Sequence, residues 1–524
     1  MIFTSSFPTI EIPDMTLTEF TLQQAEALAD KPAIIDGTSG RTITYGQLSG
    51  AIKLVGSSLS QRGFKKGDVF AIYSPNVPEY AVIFHAVASI GGINTTINPL
   101  YTAEELTHQL NDAKAKYLLT IPMFLDKALE AANNSGVEEV FVFGEADGAT
   151  PFATLMQSDG QLPDVDIDPA KDLVVLPYSS GTTGLSKGVM LTHQNIVANV
   201  TQTSHGNLVG ESDKVIAILP FFHIYGMVVI LTYALHKGAT VVTMPRFDLE
   251  QFLQIMQDQE ISYAPLVPPI VLALAKHPLV DKYDLSKLEM ITSGAAPLSE
   301  DLAGACAQRL GCLVGQGYGL TETSPVTHIA PRNADQIKWA AAGLLISNTE
   351  CKVADLNTGE ALGAGQEGEI WIRGPQVMQG YLNNPEATAD CIDSDGFFHT
   401  GDIGYADEEG YFYVVDRLKE LIKYKGMQVA PAELEGILLS NPAIADAAVI
   451  PSPDEEAGDI PKAFVVLKGE ITADEIMAFV AEQVAPHKKI RRVEIVDEIP
   501  KSASGKILRR ILVAREREAL GADS

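Results

Sequence analysis

From about residue 30 to residue 320, short apolar runs alternate with segments whose apolar positions recur at helical spacing. VFAIYS (69–74), AKYLLTI (115–121) and KVIAILP (214–220) read as buried strands, and Asp248 to Gln259 reads as a helix. This alternation predicts an α/β fold of stacked layers with mainly parallel sheets. Between about 335 and 415 the period shortens. CKVAD, GEIWIRG and GYFYVVD, punctuated by glycine, predict a small β-rich subdomain closing the large unit. After Asp416 the pattern changes again: LKELIKYKG, a helix in APAELEGILLSN, strands in AAVIPSP and PKAFVVLKG, a helix in ADEIMAFVAEQV and a strand in RRVEIVDEIP. The expected division is 1–416 (with 335–416 β-rich) and an α+β module over 417–524, with a hinge at Asp416–Lys419.

Composition narrows the function class. With 524 residues, 46% hydrophobic and 20% charged, the chain has the balance of a soluble globular enzyme. A formal charge of −29 disfavours nucleic acid and anionic membrane surfaces as partners, so an anionic ligand must be met locally. Cys306, Cys312, Cys351 and Cys391 have no CxxC spacing and fit free thiols in a reducing cytoplasm. MIFTSSFPTIEIPD lacks the basic and apolar regions of a signal peptide, and the terminal GADS matches no common targeting signal. The most apolar window, Leu219 to Leu235, is short for a membrane span and carries Pro220, His223, Tyr225 and Tyr233. It reads as core beside a pocket.

The densest chemistry lies in YSSGTTGLSKG, Tyr178 to Gly188. Small and hydroxylated residues with three glycines let N–H groups and hydroxyls crowd around phosphate oxygens, and Lys187 adds charge. The spacing is not that of a Walker A loop, because GVML after the lysine reads as a strand and not a helix. GQGYGL at 315–320 is not a dinucleotide fingerprint either: its third glycine is misplaced and no ribose-binding acid follows at the usual distance.

Six further segments follow in order: FFHIYG (221–226), SGAAPL (293–298), GQGYGLTET (315–323), FFHTGDIGY (397–405), DRLKELIKYKGMQVAPAELE (416–435) and PKSASGK (500–506). Together they resemble the adenylate-forming superfamily of acyl- and aryl-CoA ligases, beetle luciferases and peptide-synthetase adenylation domains. FFHIYG and the long 416–435 run are most similar to 4-coumarate–CoA ligase-like proteins. The resemblance spans essentially the whole chain and implies a small, mobile C-terminal domain. It implies ATP, Mg²⁺ and CoA as cofactors and a small carboxylic acid as substrate, with a monomer or homodimer as the assembly.

The roles that the resemblance implies are specific. Ser179, Ser180, Gly181, Thr182, Thr183 and Lys187 would hold the β/γ-phosphates. Gln316, Gly317 and Tyr318 would line the adenine, Thr321 would donate to the α-phosphate and Glu322 would bind Mg²⁺. Asp402 would take the ribose hydroxyls, with Arg417 as a second contact and Lys419 at the hinge. Lys506 matches the catalytic lysine, while Lys423 and Gln428 match residues near the acyl-adenylate. Arg246, Lys425 and Gly426 would contact CoA after the C-terminal domain rotates. His223 would orient the acid or gate its entry, and otherwise reads as a core histidine bonded to backbone.

For the acyl pocket, the matching positions are His223, Tyr225, Gly226, Val229, Ala295, Gly317, Pro325 and Val326. Hydroxycinnamate enzymes commonly carry serine where Gly226 and Val229 stand. The expected acid is therefore cinnamate-like or medium-chain more than ring-hydroxylated. Two other outcomes of the same adenylation chemistry stay open: transfer to a carrier protein or amine, and a luciferase-like oxygenation. A non-catalytic binding module is disfavoured by the complete set Lys187, Glu322, Asp402 and Lys506.

Overall fold

The computed structural model describes residues 1–179, 186–425, 427–454, 457–502 and 505–520. Among these, the strands form three sheets of 14, 8 and 5 members. The half of the largest sheet built first is parallel: Pro32–Asp36, Thr240–Thr243, Lys214–Ala217, Tyr263–Leu266, Met290–Ser293 and Leu313–Gly319 lie side by side. The second sheet is parallel over Val69–Tyr73, Ile93–Thr96, Ala115–Thr120, Glu139–Val142 and Leu173–Ser179. Continuous apolar runs fit strands that are covered on both faces by helices. The helix expected near residue 250 is Leu249–Asp258, started by Asp248, whose carboxylate accepts from the Gln251 N–H at 2.9 Å. One core joins both sheets, with Phe70 and Ile72 from the second packed in the same cluster as Val215 and Val241 from the first.

The β-rich stretch does not form a sheet of its own. Val326–Ile329, Gly343–Leu345, Tyr411–Arg417, Phe398–Ala406, Gly368–Arg373 and Glu350–Ala354 extend the largest sheet in antiparallel fashion. Ile2–Thr4 from the opposite end of the chain adds the last strand.

The C-terminal module has a separate core of Ile422, Val429, Leu434, Val449, Val465 and Ile476. Its sheet pairs Ile444–Asp454 with Gly458–Leu467, flanked by Arg492–Ile495 and by the hairpin Ile422–Tyr424/Met427–Val429. The last strand of the large sheet ends at Arg417 and a turn over 418–421 leads into that hairpin. Asp416 ties the two parts: its Oδ2 accepts from Ala432 N–H at 2.8 Å, in the first turn of helix Pro431–Ser440. A Cβ on Gly505 would lie 3.1 Å from Val267, so the Lys506 turn rests directly on the large unit.

The apolar window at 219–235 is core, as expected, but Tyr225–Thr232 is wound as a π-helix. A segment apolar on all sides carries no periodicity from which that winding could be read.

Candidate active site

Strand Leu313–Gly319 lies where the large sheet changes from parallel to antiparallel, with Met290–Ser293 on one side and Val326–Ile329 on the other. Such crevices at the carboxyl ends of strands are where α/β sheets bind ligands. The strand stops because Gly319 runs against Pro325: a Cβ there would sit 1.9 Å from its carbonyl oxygen. The tight turn Thr321–Thr323 follows, leaving Thr321 half-buried and Glu322 buried. Tyr318 Oη donates to Asp402 Oδ2 at 2.7 Å, and Arg417 Nε lies 3.2 Å from Asp402 Oδ1. Asp402 and Arg417 face each other across paired strands, which fixes this contact in the backbone register. Burial pushes the Asp402 carboxyl up and Arg417 pulls it back.

Lys506 lies within electrostatic reach of Asp402 and Arg417. Burial first, and then the Arg417 charge, draw its ammonium down to about 8. Its positive charge in turn is felt at His223, which burial chiefly holds down to about 4. The His223 Nδ1 accepts from the Tyr225 N–H at 3.3 Å, so the neutral ring carries its proton on Nε2. A lysine is charged below its pKa. Any step that needs the Lys506 charge is therefore fully supported below pH 8 and lost as pH rises through that value, far below the ordinary lysine value of 10.5. We expect kcat/KM for the nucleotide reaction to fall about tenfold per pH unit above 8. Lys506→Arg should flatten that limb, since arginine keeps its charge.

The strands that flank the expected phosphate loop, Leu173–Ser179 and Lys187–Thr192, pair as a hairpin with Ser179 opposite Lys187. Ser180, Gly181, Thr182 and Thr183 lie outside the described residues. Lys187 Nζ stands 4.8 Å over the Tyr381 ring, and Tyr381 Oη donates to Glu322 Oε1 at 2.9 Å. Tyr381 thus joins the two charged groups, a link the motif reading missed. It arrives through the two-residue strand Gly380–Tyr381, which pairs with the outer edge of Lys187–Thr192. A GY pair beside a sheet edge is the only sequence signal for it. Among the described residues no three His, Cys, Asp or Glu side chains cluster to hold a metal alone. A buried carboxylate whose second oxygen makes no hydrogen bond among the described residues fits Mg²⁺, which takes few protein ligands and relies on phosphate oxygens.

Of the positions expected to line the acyl pocket, Val229 and Val326 meet in one small apolar cluster with Ile329 and Ile346, edged by Tyr225. Tyr225 Oη donates to the Thr292 carbonyl at 3.0 Å, placing its ring against Gly294. The backbone of Val326 is clamped by Asn199 at both N–H and C=O, 3.1 and 2.7 Å. The Pro325 carbonyl is likewise taken, accepting from Leu320 N–H at 3.0 Å. Gly317 leaves ordinary contact room, with a Cβ 3.6 Å from the His328 carbonyl. Ala295 is exposed and held at φ +70°, a conformation rare for a residue with a side chain.

Two of the expected site residues also carry structural constraints. The Gln316 amide is spent on backbone: Nε2 donates to Leu298 and Trp339 carbonyls at 3.0 and 2.6 Å, and Oε1 accepts from Leu298 N–H at 2.9 Å. These bonds tie it to the SGAAPL loop. Gly226 is glycine because its Cβ would meet the Pro220 and Leu219 carbonyl oxygens at 2.1 and 2.7 Å. The backbone of this chain at Gly226 therefore leaves no room for a serine side chain. Gly226→Ala should destabilise the chain by about 1–3 kcal/mol through forced backbone displacement. A denaturant midpoint unchanged from the parent would contradict that packing.

Lys419 and Arg246 are exposed, on the 418–421 turn and on the loop before Leu249–Asp258. Lys423 and Gln428 face each other across the C-terminal hairpin and are exposed with Lys425; Gly426 lies outside the described residues. The hairpin leans on its own module, with Arg491 stacked 3.7 Å over Tyr424. In this conformation Lys506 is within electrostatic reach of Asp402, Arg417 and His223, and Lys423, Lys425 and Gln428 lie exposed on the C-terminal hairpin.

The sequence matches the model of the AMP-binding enzyme family over residues 22–382 and that of its C-terminal domain over 433–506. The chain belongs to the AMP-binding enzyme family. Curated relatives of this AMP-binding enzyme include 4-coumarate–CoA ligase 1 of Solanum tuberosum, 44% identical over 98% of this chain and 96% of that protein. The enzyme of the same name from Petroselinum crispum is 44% identical over 98% and 97%. Among solved structures, anthranilate CoA ligase AuaEII in complex with anthranoyl-AMP superimposes with a TM-score of 0.90 at 25% identity, over 98% of this chain and 99% of that one. ATP-bound MatB from Rhodopseudomonas palustris gives 0.87 at 28%, over 96% and 100%.

Proposed function

We propose that this AMP-binding enzyme is an ATP-dependent acid–CoA ligase acting on a cinnamate-like acid. The observation that carries this reading is the convergence of Lys506, Asp402, Arg417 and His223 at the sheet's switch point, in a chain 44% identical to 4-coumarate–CoA ligases. In the first step a carboxylate oxygen of the acid attacks the α-phosphorus of ATP. The bond from that phosphorus to its bridging oxygen breaks, and pyrophosphate leaves. In the second step the CoA sulfur attacks the acyl carbon, the acyl C–O bond breaks and AMP departs with its phosphate oxygen.

The protein's task in the first step is to bring two anions together and to stabilise the charge that builds between them. Asp402, flanked by Tyr318 and Arg417, takes the ribose hydroxyls. Lys506 bridges carboxylate and α-phosphate oxygens, and Thr321 donates to the latter. His223, neutral with its proton on Nε2, donates to the acid and fixes its approach. Lys187, Ser179 and the loop that follows hold the outer phosphates. Glu322, held by Tyr381, is the residue for Mg²⁺, which supplies charge neutralisation on the phosphates. For thioester formation, rotation about Lys419 would exchange Lys506 for the exposed hairpin, with Lys425, Gly426 and Arg246 meeting CoA and Lys423 and Gln428 facing the adenylate.

The apolar Val229–Val326 wall favours an unsubstituted aryl or medium alkyl tail over a hydroxylated ring. Among the described residues no helix is long and apolar enough to cross a membrane, and the four cysteines are unpaired, which fits a reducing cytoplasm. Pyrophosphate release from ATP should be measured with cinnamate, 4-coumarate, caffeate, octanoate and amino acids. We expect cinnamate or octanoate to lead. A strong preference for caffeate would overturn the acid assignment, and release with amino acids alone would overturn the reading itself.

A further inference from the structure

The first ten residues form a strap across the large sheet. Ile2–Thr4 pairs with Glu350–Ala354, and Ser5 Oγ donates to the Leu345 carbonyl at 2.7 Å while accepting from Phe7 N–H at 3.0 Å. Asn348 then holds Ile10 by both backbone groups, at 3.0 and 2.8 Å. These ties involve no part of the Phe7 ring. The ring instead packs inward against the Val229, Val326, Ile329 and Ile346 cluster. It also packs against a second cluster, of Ala341, Leu344 and Tyr411, and so lies between two apolar clusters. His205 lies parallel to it, 6.4 Å away at 14°, and is itself held by Ser347 at 3.1 Å.

Val229 and Val326 are the residues on which the acyl-pocket reading stands. Every other member of their cluster comes from the interior elements of the large unit, whereas Phe7 is contributed by the strap from outside. A wall supplied from the strap can change size without disturbing the strands and helices that hold the nucleotide. We propose that Phe7 is the end wall of the acyl pocket and sets the longest acid accepted. This rests on the acyl-pocket reading above. Removing the ring leaves the strap tied at Ser5 and Asn348 and opens apolar space at the far end of the Val229–Val326 cluster.

The test uses the full chain, with Phe7→Ala compared against Phe3→Ala. Phe3 lies in the same strap but meets Phe412 edge-on at 5.4 Å, in a different cluster. Pyrophosphate release is measured with straight-chain acids of graded length and with cinnamate. In parallel, binding of non-reactive acyl-sulfamoyl adenosines of the same lengths is measured by titration. We expect Phe7→Ala to raise the preference for long over short acids at least about tenfold, in turnover and in analogue binding, with Phe3→Ala unchanged. Equal loss for all lengths in Phe7→Ala, or the same shift in Phe3→Ala, would overturn the proposal. Absence of pyrophosphate release with every acid would count against the ligase reading alone, because the order of analogue binding still decides the role of Phe7.

Discussion

Lys506→Ala should lower acid-dependent pyrophosphate release by about 10²–10³-fold, some 3–4 kcal/mol of transition-state stabilisation. The same variant should convert preformed acyl-AMP and CoA to thioester at close to the parental rate. The asymmetry follows from geometry. Lys506 is the cation whose charge interacts with Asp402, Arg417 and His223 in this conformation, and the neighbouring Gly505 lies against Val267. Charge gathers between carboxylate and α-phosphate only in the first step, so only that step uses the ammonium. Unfolding cannot produce the same result, because the folded protein disfavours this charge and alanine removes a desolvated cation. Acetylation of Nζ should act in the same way, since it takes away the same charge. Equal losses in the two half-reactions would remove Lys506 from the chemistry.

The second large effect is expected at Asp402. Asp402→Ala should raise KM for ATP by about 10²-fold with a smaller change in kcat, because a ribose contact is made alike in ground and transition states. It also strands two partners. Tyr318 Oη loses its acceptor at 2.7 Å, and Arg417 loses the carboxylate at 3.2 Å. A hydrogen bond to a charged group contributes about 1.5–3 kcal/mol, so a lower melting temperature should accompany the change. Asp402→Asn keeps the shape and an acceptor and should be milder in both respects. Steady-state rates over an ATP series separate the effects, and an unchanged KM would show that Asp402 only holds the strands together.

What the sequence made legible was what is written locally. Buried parallel strands are continuous apolar runs, so Val69–Tyr73, Ala115–Thr120 and Lys214–Ala217 could be found without a structure. The motif lysine, carboxylates and histidine could also be numbered. Pairing between distant strands could not. Tyr381 reaches Glu322 through a two-residue strand on an edge nearly 200 residues earlier in the chain, and no apolar pattern encodes that register. Gln316 and Gly226 sit inside recognisable motifs, yet a hydrogen-bonded amide and a close backbone approach decide what they do. Phe7 was an isolated apolar residue in a polar stretch. Only the strap's ties to Leu345 and Asn348 bring it to the valines.

Acid–CoA ligation stands on formation of a thioester. The purified chain should be given ATP, Mg²⁺, CoA and cinnamate, with omission of each in turn, and the products weighed by mass spectrometry. It predicts cinnamoyl-CoA and AMP in equal amounts, none of either when ATP is withheld. Pyrophosphate and trapped acyl-adenylate without any thioester, for this or any other acid, would contradict it and assign the acyl group to a different acceptor.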